Sequence, residues 1–453
     1  MRPVFLATWS ILLGSTAFLS LLPAQAPEDS LDIYTEHPRL FLRPQRLKML
    51  QRERERRSAR WVQLETLVAG KAPMTEMGFA QALYFQITGD KEAGTRAIAW
   101  ALGPATDLRQ LALVFDWCQA SLTEAQSKAL VAKLVRSMAA SERDRSVSAA
   151  RDRALAAVAL SGHDQDASSK QLESLVRNWW SKEIVPGLKS GRDMVSREAL
   201  YPLFELLHAI RDNTNVDLRD TVPFYFKDLS ILHLLSYYPA SFPAAEGEYR
   251  IPAVKAVKEP DLGAATMSRA AEFCMVAYDT NAPQSQSLQG WLLHDNFQLH
   301  GLLGTPYEFL WANPYQPGLS YFHLPLIVHD DLFGRLFVRS SWEDSSKWLG
   351  YFNGELQVFE DGRPAILNPR TALAPIVLTG AVVLPANYAR KFTITIPEEG
   401  DSVFVVALKP RQAYEIEVDD EEMREESTDT GGILILQLPA KTPVGVRIRE
   451  AKQ

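Results

Sequence analysis

From about residue 44 to 310, apolar side chains recur at three- and four-residue steps, the spacing of one face of an α-helix. Between Glu198 and Arg211, the residues Leu200, Leu203, Phe204, Leu207 and Ile210 keep that spacing, with Glu205 and Arg211 between them. The same pattern predicts helices near 44–55, 59–69, 77–88, 91–102, 107–119, 123–140, 148–160, 168–182, 222–236, 261–279 and 285–298. Thr123 followed by Gln126 has the form of a capping box. Gly89-Asp90 ends one helix and opens the next. At about residue 315 the period shortens to two. Strands are predicted over 333–341, 347–352, 355–359, 374–384, 391–396, 402–408, 413–418, 432–438 and 443–448. Asn353-Gly354 suits a two-residue hairpin turn, whose central positions both need positive φ, and Asp361-Gly362 turns again. Asn313-Pro314 and Gln316-Pro317-Gly318 punctuate the boundary. Paired helices in this order suit a closed (α/α) ring or an open solenoid, and the later strands suit a β-sandwich.

Residues 1–26 have the pattern of an export signal. Arg2 is followed by an apolar run to Leu22, and Ala24-Gln25-Ala26 has the small-x-small form of a cleavage site. The expected location is periplasmic or secreted, with no membrane association once the segment is removed. Kept uncleaved, the same run approaches the length that spans a bilayer. Lys plus Arg number 48 against 55 Asp plus Glu, a net charge of −7, so the chain lacks the basic footprint of a nucleic-acid binder. Two cysteines, Cys118 and Cys274, exclude a disulfide framework. Both lie in apolar helical stretches and read as buried free thiols.

Several segments, taken in order, resemble the heparinase II/III-like family of the alginate and chondroitin lyase group. These are His37-Pro38-Arg39-Leu40-Phe41-Leu42-Arg43-Pro44, then Leu113-Val114-Phe115-Asp116-Trp117 with Leu122-Thr123-Glu124-Ala125-Gln126. Glu198-Ala199-Leu200-Tyr201 and Phe337-Val338-Arg339-Ser340-Ser341-Trp342 follow. The resemblance implies a multidomain α+β fold: a helical (α/α) toroid over 27–315, then an antiparallel β-sandwich over 316–453. It implies an exported polysaccharide lyase acting by β-elimination beside a uronate carboxylate. That chemistry needs a group that neutralises the carboxylate, a base for the α-proton and an acid for the leaving oxygen. The chain departs from the family in two places. Arg151-Asp152-Arg153 stands where the family has an Asn-His pair, and the stretch 350–362 holds no histidine where the family has several.

On the resemblance, Tyr201 is the candidate acid or base, with His208 seven residues on along the same helix. Tyr249, in the predicted loop Glu246-Gly247-Glu248-Tyr249-Arg250, is a second catalytic candidate. Arg151, Arg153, Arg197 and Arg250 are candidate carboxylate clamps, because guanidinium meets carboxylate bidentately. Glu198 is a further substrate-binding candidate. Trp311 and Tyr315, at the predicted domain junction, could stack on sugar rings. His294, His300, His323 and His329 lie close in sequence but match no metal-ligand spacing, so neither metal nor cofactor is expected. The expected partner is a polysaccharide. The alternatives are a non-catalytic glycan-binding or envelope structural protein on the same fold, and an (α/α) glycoside hydrolase using a carboxylate pair such as Glu198 and Glu246.

Overall fold

The computed structural model describes residues 31, 33, 34, 36–245, 247–295, 298–371, 374–386, 391–420 and 422–451. The export segment 1–26 and Glu246 therefore lie outside the described residues. Helices α1 (Pro44–Glu55), α2 (Ala59–Ala69), α3 (Met77–Thr88), α4 (Lys91–Leu102), α5 (Leu108–Trp117), α6 (Glu124–Ala140) and α7 (Val147–Leu160) come first. They are followed by α8 (Gln165–Glu173), α9 (Val185–Lys189), α10 (Leu200–Thr214), α11 (Pro223–Leu235), α12 (Leu262–Tyr278), α13 (Pro283–Asp295) and α14 (Gly301–Trp311). A hairpin, β1 (Tyr237–Ala244) with β2 (Gly247–Pro252), interrupts them between α11 and α12.

The helices form two layers that differ in burial. Every residue of α5 is buried, as are nearly all of α10 and most of α12. In α6, by contrast, only Leu130, Leu134 and Met138 are buried, a narrow stripe with a solvated remainder. The buried helices are neighbours in chain order: α3 packs on α5, α5 on α7, α7 on α10, α10 on α12 and α12 on α14. Helix α14 returns to α2 and α3, so the circuit closes. Helices α4, α6, α8 and α13 each lie against the buried helix before them. Local signals hold as the sequence predicts. The Thr123 hydroxyl accepts from the Gln126 N–H while the Gln126 side chain accepts from the Thr123 N–H. Gly89 takes a left-handed conformation (φ 72°) before Asp90 caps α4.

A helix buried on all sides cannot carry an unpaired charge. Several charged groups of this layer meet in one network. Arg109 on α5 donates from Nε to Glu205 Oε2 on α10 (2.9 Å) and from Nη2 to Oε1 (2.7 Å). Its Nη1 reaches Glu76, the residue before α3, at 2.8 Å. Arg151 on α7 makes a second ion pair with Glu205.

Strands β3 (Ile327–Asp330), β4 (Arg335–Arg339), β5 (Trp348–Phe352), β6 (Glu355–Glu360) and β7 (Arg363–Leu367) form an antiparallel meander. Asn353-Gly354 and Asp361-Gly362 turn its hairpins with positive φ at all four residues. Beyond it lie β8 (Ile376–Leu378), β9 (Ala381–Pro385), β10 (Lys391–Thr395), β11 (Ser402–Val406), β12 (Ala413–Val418), β13 (Glu422–Ser427), β14 (Leu434–Leu436) and β15 (Pro443–Glu450). They make two further sheets, ordered β14-β11-β9-β8 and β10-β15-β12-β13.

Three features correct the sequence expectation. The β region is three stacked sheets rather than one sandwich. The middle sheet turns Val382, Leu384, Val403 and Val405 to one core, and Ala381, Val383, Phe404 and Val406 to the other. Next, β9 and β11 are parallel. The intervening β10 belongs to another sheet, so the chain re-enters the middle sheet by a crossover. Last, 247–252 is a strand, not a loop. Pro239, Pro243 and Pro252 hide its period, and a register shift between Tyr237 and Ser241 breaks the alternation. The helical core also continues into the first sheet through Phe337, Trp342, Trp348, Phe352 and Phe359.

Arg109→Met removes the guanidinium and leaves Glu205 with Arg151 as its one counter-charge and the Tyr201 hydroxyl as donor. The expected cost is about 3–5 kcal/mol, measured by denaturant unfolding followed by circular dichroism.

Candidate functional site

Tyr201 sits at the middle of the charged network. Its hydroxyl donates to Glu205 Oε1 (2.6 Å) and accepts from Trp311 Nε1 (3.0 Å) and Arg109 Nη2 (3.3 Å). The Tyr307 ring packs against it edge-on. Burial, then the neighbouring Glu205 charge, push its phenol well above the usual range. Burial also pushes the Glu205 carboxyl up, but Arg109 and Arg151 outweigh this and hold it ionised. With 1% of its surface exposed, Tyr201 presents no open face to a ligand.

The structure thus brings together Tyr201, Arg151 and Trp311 of the sequence candidates, inside the helical core. Others go elsewhere. Arg153 is buried and donates to the carbonyls of Ser141 and Asp144, closing the end of α6. His208 is buried, with Nε2 3.1 Å from the Cys274 carbonyl, and burial lowers its pKa. Tyr249 is buried on β2, and Arg250 beside it pairs with Asp295 (2.6 Å) and Asp344 (2.9 Å). Tyr315 is 59% exposed. Cys118 and Cys274 are buried free thiols.

Arg197 and Glu198 occupy a different setting. They precede α10 and line a cleft of about 850 Å³ between the helices and the first sheet. Its other walls are Tyr225 and Asp228 of α11, the segment 251–255 after β2, the start of α12, and 328–335 at the β3–β4 hairpin. Phe352 and Asn353 close it at the β5–β6 turn. The volume is that of an ordinary small-ligand or oligosaccharide site. Aromatic and charged side chains mix along its walls.

The β3–β4 wall carries the group that sequence spacing does not reveal. His329 Nε2 lies 2.8 Å from Asp429 Oδ2, a hundred residues away in the chain. Asp429 is itself fixed by the N–H groups of Gly431 and Ile433, both at 2.8 Å. His329 stands opposite Leu336 on the sheet face turned to the middle sheet, where its ring meets Phe404 of β11 at 5.8 Å, so the pair backs the cleft wall from behind. Among the described residues Nδ1 has no hydrogen-bond partner. Tyr225 packs its ring on Phe333 (6.0 Å), and Arg335 lies over Phe333 (4.9 Å) while pairing with Asp193 (3.4 Å). Burial raises the Tyr225 phenol, with Arg335 opposing, and burial raises the Asp330 carboxyl.

The hairpin turn holding these residues is tightly seated. A side chain at Gly334 (φ 63°) would collide with the backbone of Gly431, and one at Gly191 (φ 75°) with the carbonyl of Leu332. Thr430 Oγ1 donates to that same carbonyl at 2.8 Å. The turn is clamped between a helical-region loop and a loop of the middle sheet.

At the opposite wall, Arg197 donates to the His233 carbonyl (3.0 Å), Ser236 Oγ and Ser268 Oγ (3.0 Å). Its guanidinium lies 4.1 Å over the Tyr237 ring. His233 Nε2 bonds Glu272 Oε1 at 2.9 Å, and Arg269 pairs with both Glu272 and Asp295. Among the described residues, no group of three or more His, Cys, Asp or Glu side chains is arranged to hold a metal.

No protein-family model matches the sequence, and no curated protein matches it. Among solved structures, a glycoside hydrolase resembles it with a TM-score of 0.32 at 9% identity, over 83% of this chain and 72% of that one. At that score the likeness carries no argument about fold or chemistry.

Burial, reinforced by Arg197, pushes the His233 pKa from 6.5 down to about 4. The unfolded chain therefore takes up a proton that the folded one refuses. Stability is full above pH 6.5 and falls by about 1.4 kcal/mol per unit towards pH 4, with buried His208 adding in the same direction. His233→Gln flattens this part of the profile, as read by thermal unfolding at a series of pH values.

Proposed function

We propose that the protein is an exported glycan-active enzyme whose cleft binds uronate-containing polysaccharide and cleaves it by β-elimination. What supports this reading is one juxtaposition: Tyr225, Asp330 and Arg335 line a single cleft, with Asp330 opposite Arg335 across β3 and β4 and its carboxyl pKa raised by burial. The closed circuit of buried helices, read as an (α/α) toroid, and the export pattern of residues 1–26 accord with it.

The roles follow from the chemistry. Arg335 on one wall, or Arg197 on the other, neutralises the uronate carboxylate and so acidifies the adjacent C–H. The Asp330 carboxylate removes that proton. The glycosidic C–O bond breaks as the new C=C bond forms, and the Tyr225 hydroxyl supplies the proton to the departing oxygen. Tyr225 can act as the acid because its phenol is protonated at neutral pH, and the charge building on the departing oxygen draws the proton across. Phe333, Phe337 and Phe352 offer apolar surface to sugar faces. Tyr201 and Arg151 act from within the core, holding α10 and α7 so that Arg197 and Glu198 reach the cleft. A net charge of −7 is no obstacle, since cleft arginines act locally.

Elimination creates a conjugated unsaturated uronate that absorbs in the ultraviolet, which hydrolysis and binding do not. Incubation with a panel of uronate polysaccharides is expected to raise the absorbance. Tyr225→Phe is expected to lower the rate by about 100-fold or more with thermal stability retained. A flat trace across the panel overturns the reading. Reducing ends released without absorbance would point instead to hydrolysis through cleft carboxylates such as Glu198 and Asp228.

A further inference from the structure

We propose that the 313–319 loop, with the turn after α12, forms a second glycan-binding site that takes uncharged sugar residues. It goes beyond the cleft reading and rests on different residues. The site is a concavity of about 400 Å³ lined by Asn281, Gln286, Asn313, Tyr315, Gln316 and Pro317, with Thr280 at its edge. None of these side chains ionises near neutral pH. The amides of Asn281, Gln286 and Asn313 make no hydrogen bond among the described residues, so three sets of donors and acceptors face an open pocket. Tyr315 adds an aromatic face with 59% of its surface exposed. Arg56 sits over that ring at 5.9 Å but does not line the pocket. An apolar ring face beside unpartnered amides, with no fixed charge, complements the C–H face and hydroxyl edge of a neutral hexose.

The loop is held ready for a ligand. Gln289, 3% exposed, donates from Nε2 to the carbonyls of Asn313 (2.9 Å) and Gln316 (3.0 Å). The Leu319 N–H donates to the Gln286 carbonyl at 2.9 Å. Gly290 and Gly318 let the two backbones cross so closely that a side chain at either would collide with the other segment. A surface loop braced in this way loses little entropy when it binds.

The site is also separate from the cleft. The cleft meets α12 at Asp261, Ala264 and Ser268, whereas the loop site meets the turn just past its end. From Ser268 to the helix end at Tyr278 is ten residues, about 15 Å. A chain engaging both sites would gain avidity that a short oligosaccharide could not.

Electrophoresis of the full chain through native gels containing a soluble β-glucan, a galactomannan or soluble starch tests the proposal. At least one is expected to retard the protein. Tyr315→Ala should weaken that retardation 10-fold or more, and Gln286→Ala should weaken it less, with melting temperature unchanged because Tyr315 is exposed. Tyr225→Phe, in the cleft, should be retarded like the parent protein. Retardation by no neutral glycan, retardation only by polyuronates, or equal retardation of Tyr315→Ala would each overturn the proposal. Failure of the cleft reading is distinguishable, since it would abolish the ultraviolet signal and leave retardation intact.

Discussion

The fold depends on a buried guanidinium meeting a buried carboxylate. Arg109 and Glu205 face each other where two fully buried helices would otherwise trap opposite charges without water. Either charge alone is ruinous at that depth, while both together are tolerated only when geometry and further hydrogen bonds are right. Those further bonds recruit the rest of the circuit. Glu76 ties in the start of α3, Arg151 ties in α7, and Tyr201 with Trp311 ties α10 to α14. The network therefore specifies which helices are neighbours, beyond what apolar burial could decide. It also fills the middle of the circuit with side chains.

With the centre occupied, the large cleft lies to one side, where the helices meet the first sheet. That junction is part of one continuous core. The indole N–H of Trp348 on β5 reaches the Leu235 carbonyl at the end of α11 (2.7 Å). The Tyr238 hydroxyl of β1 reaches Gln357 on β6 (2.9 Å), whose amide in turn holds the Val254 carbonyl (2.8 Å). The β1–β2 hairpin is thus a strut between helices and sheet, and it frames one wall of the cleft. The opposite wall takes its stiffness from further away. Asp429, just before the middle sheet's β14, holds His329 between the two sheets and so braces that wall from behind.

Much of this architecture was legible in the sequence. The boundaries of the helices that were predicted came within a few residues because caps and periodicity agree locally, as at Thr123–Gln126 and Gly89–Asp90, whereas α14, with Pro306 inside it, had no predicted counterpart. The Asn353-Gly354 turn was equally clear, since its requirement for positive φ is local. The third β layer was not legible. A strand buried on both faces, such as β9, reads as a continuous apolar run and does not say which sheet lies on either side. The hairpin β1–β2 was hidden by its prolines.

The site divides along the same line. Arg197 and Glu198 were flagged by their nearness to Tyr201 in sequence, and both reach the cleft. Tyr201 was flagged by resemblance and stands at the centre of a structural network. The His329–Asp429 pair joins residues a hundred positions apart, and Tyr225 lies in an apolar run, so neither carries a local signal. Only the packing of the β3–β4 turn against 429–432 seats the pair behind the cleft wall and sets Phe333 of that turn against Tyr225.

The central claim is that ligand meets this side cleft and not the filled middle of the helical circuit. Amide hydrogen exchange with and without a uronate oligosaccharide tests that claim most directly. The account predicts added protection in 224–236, 251–264 and 327–335. Protection confined to the segments around Glu76, Arg109 and Arg151, with those three unchanged, would contradict it.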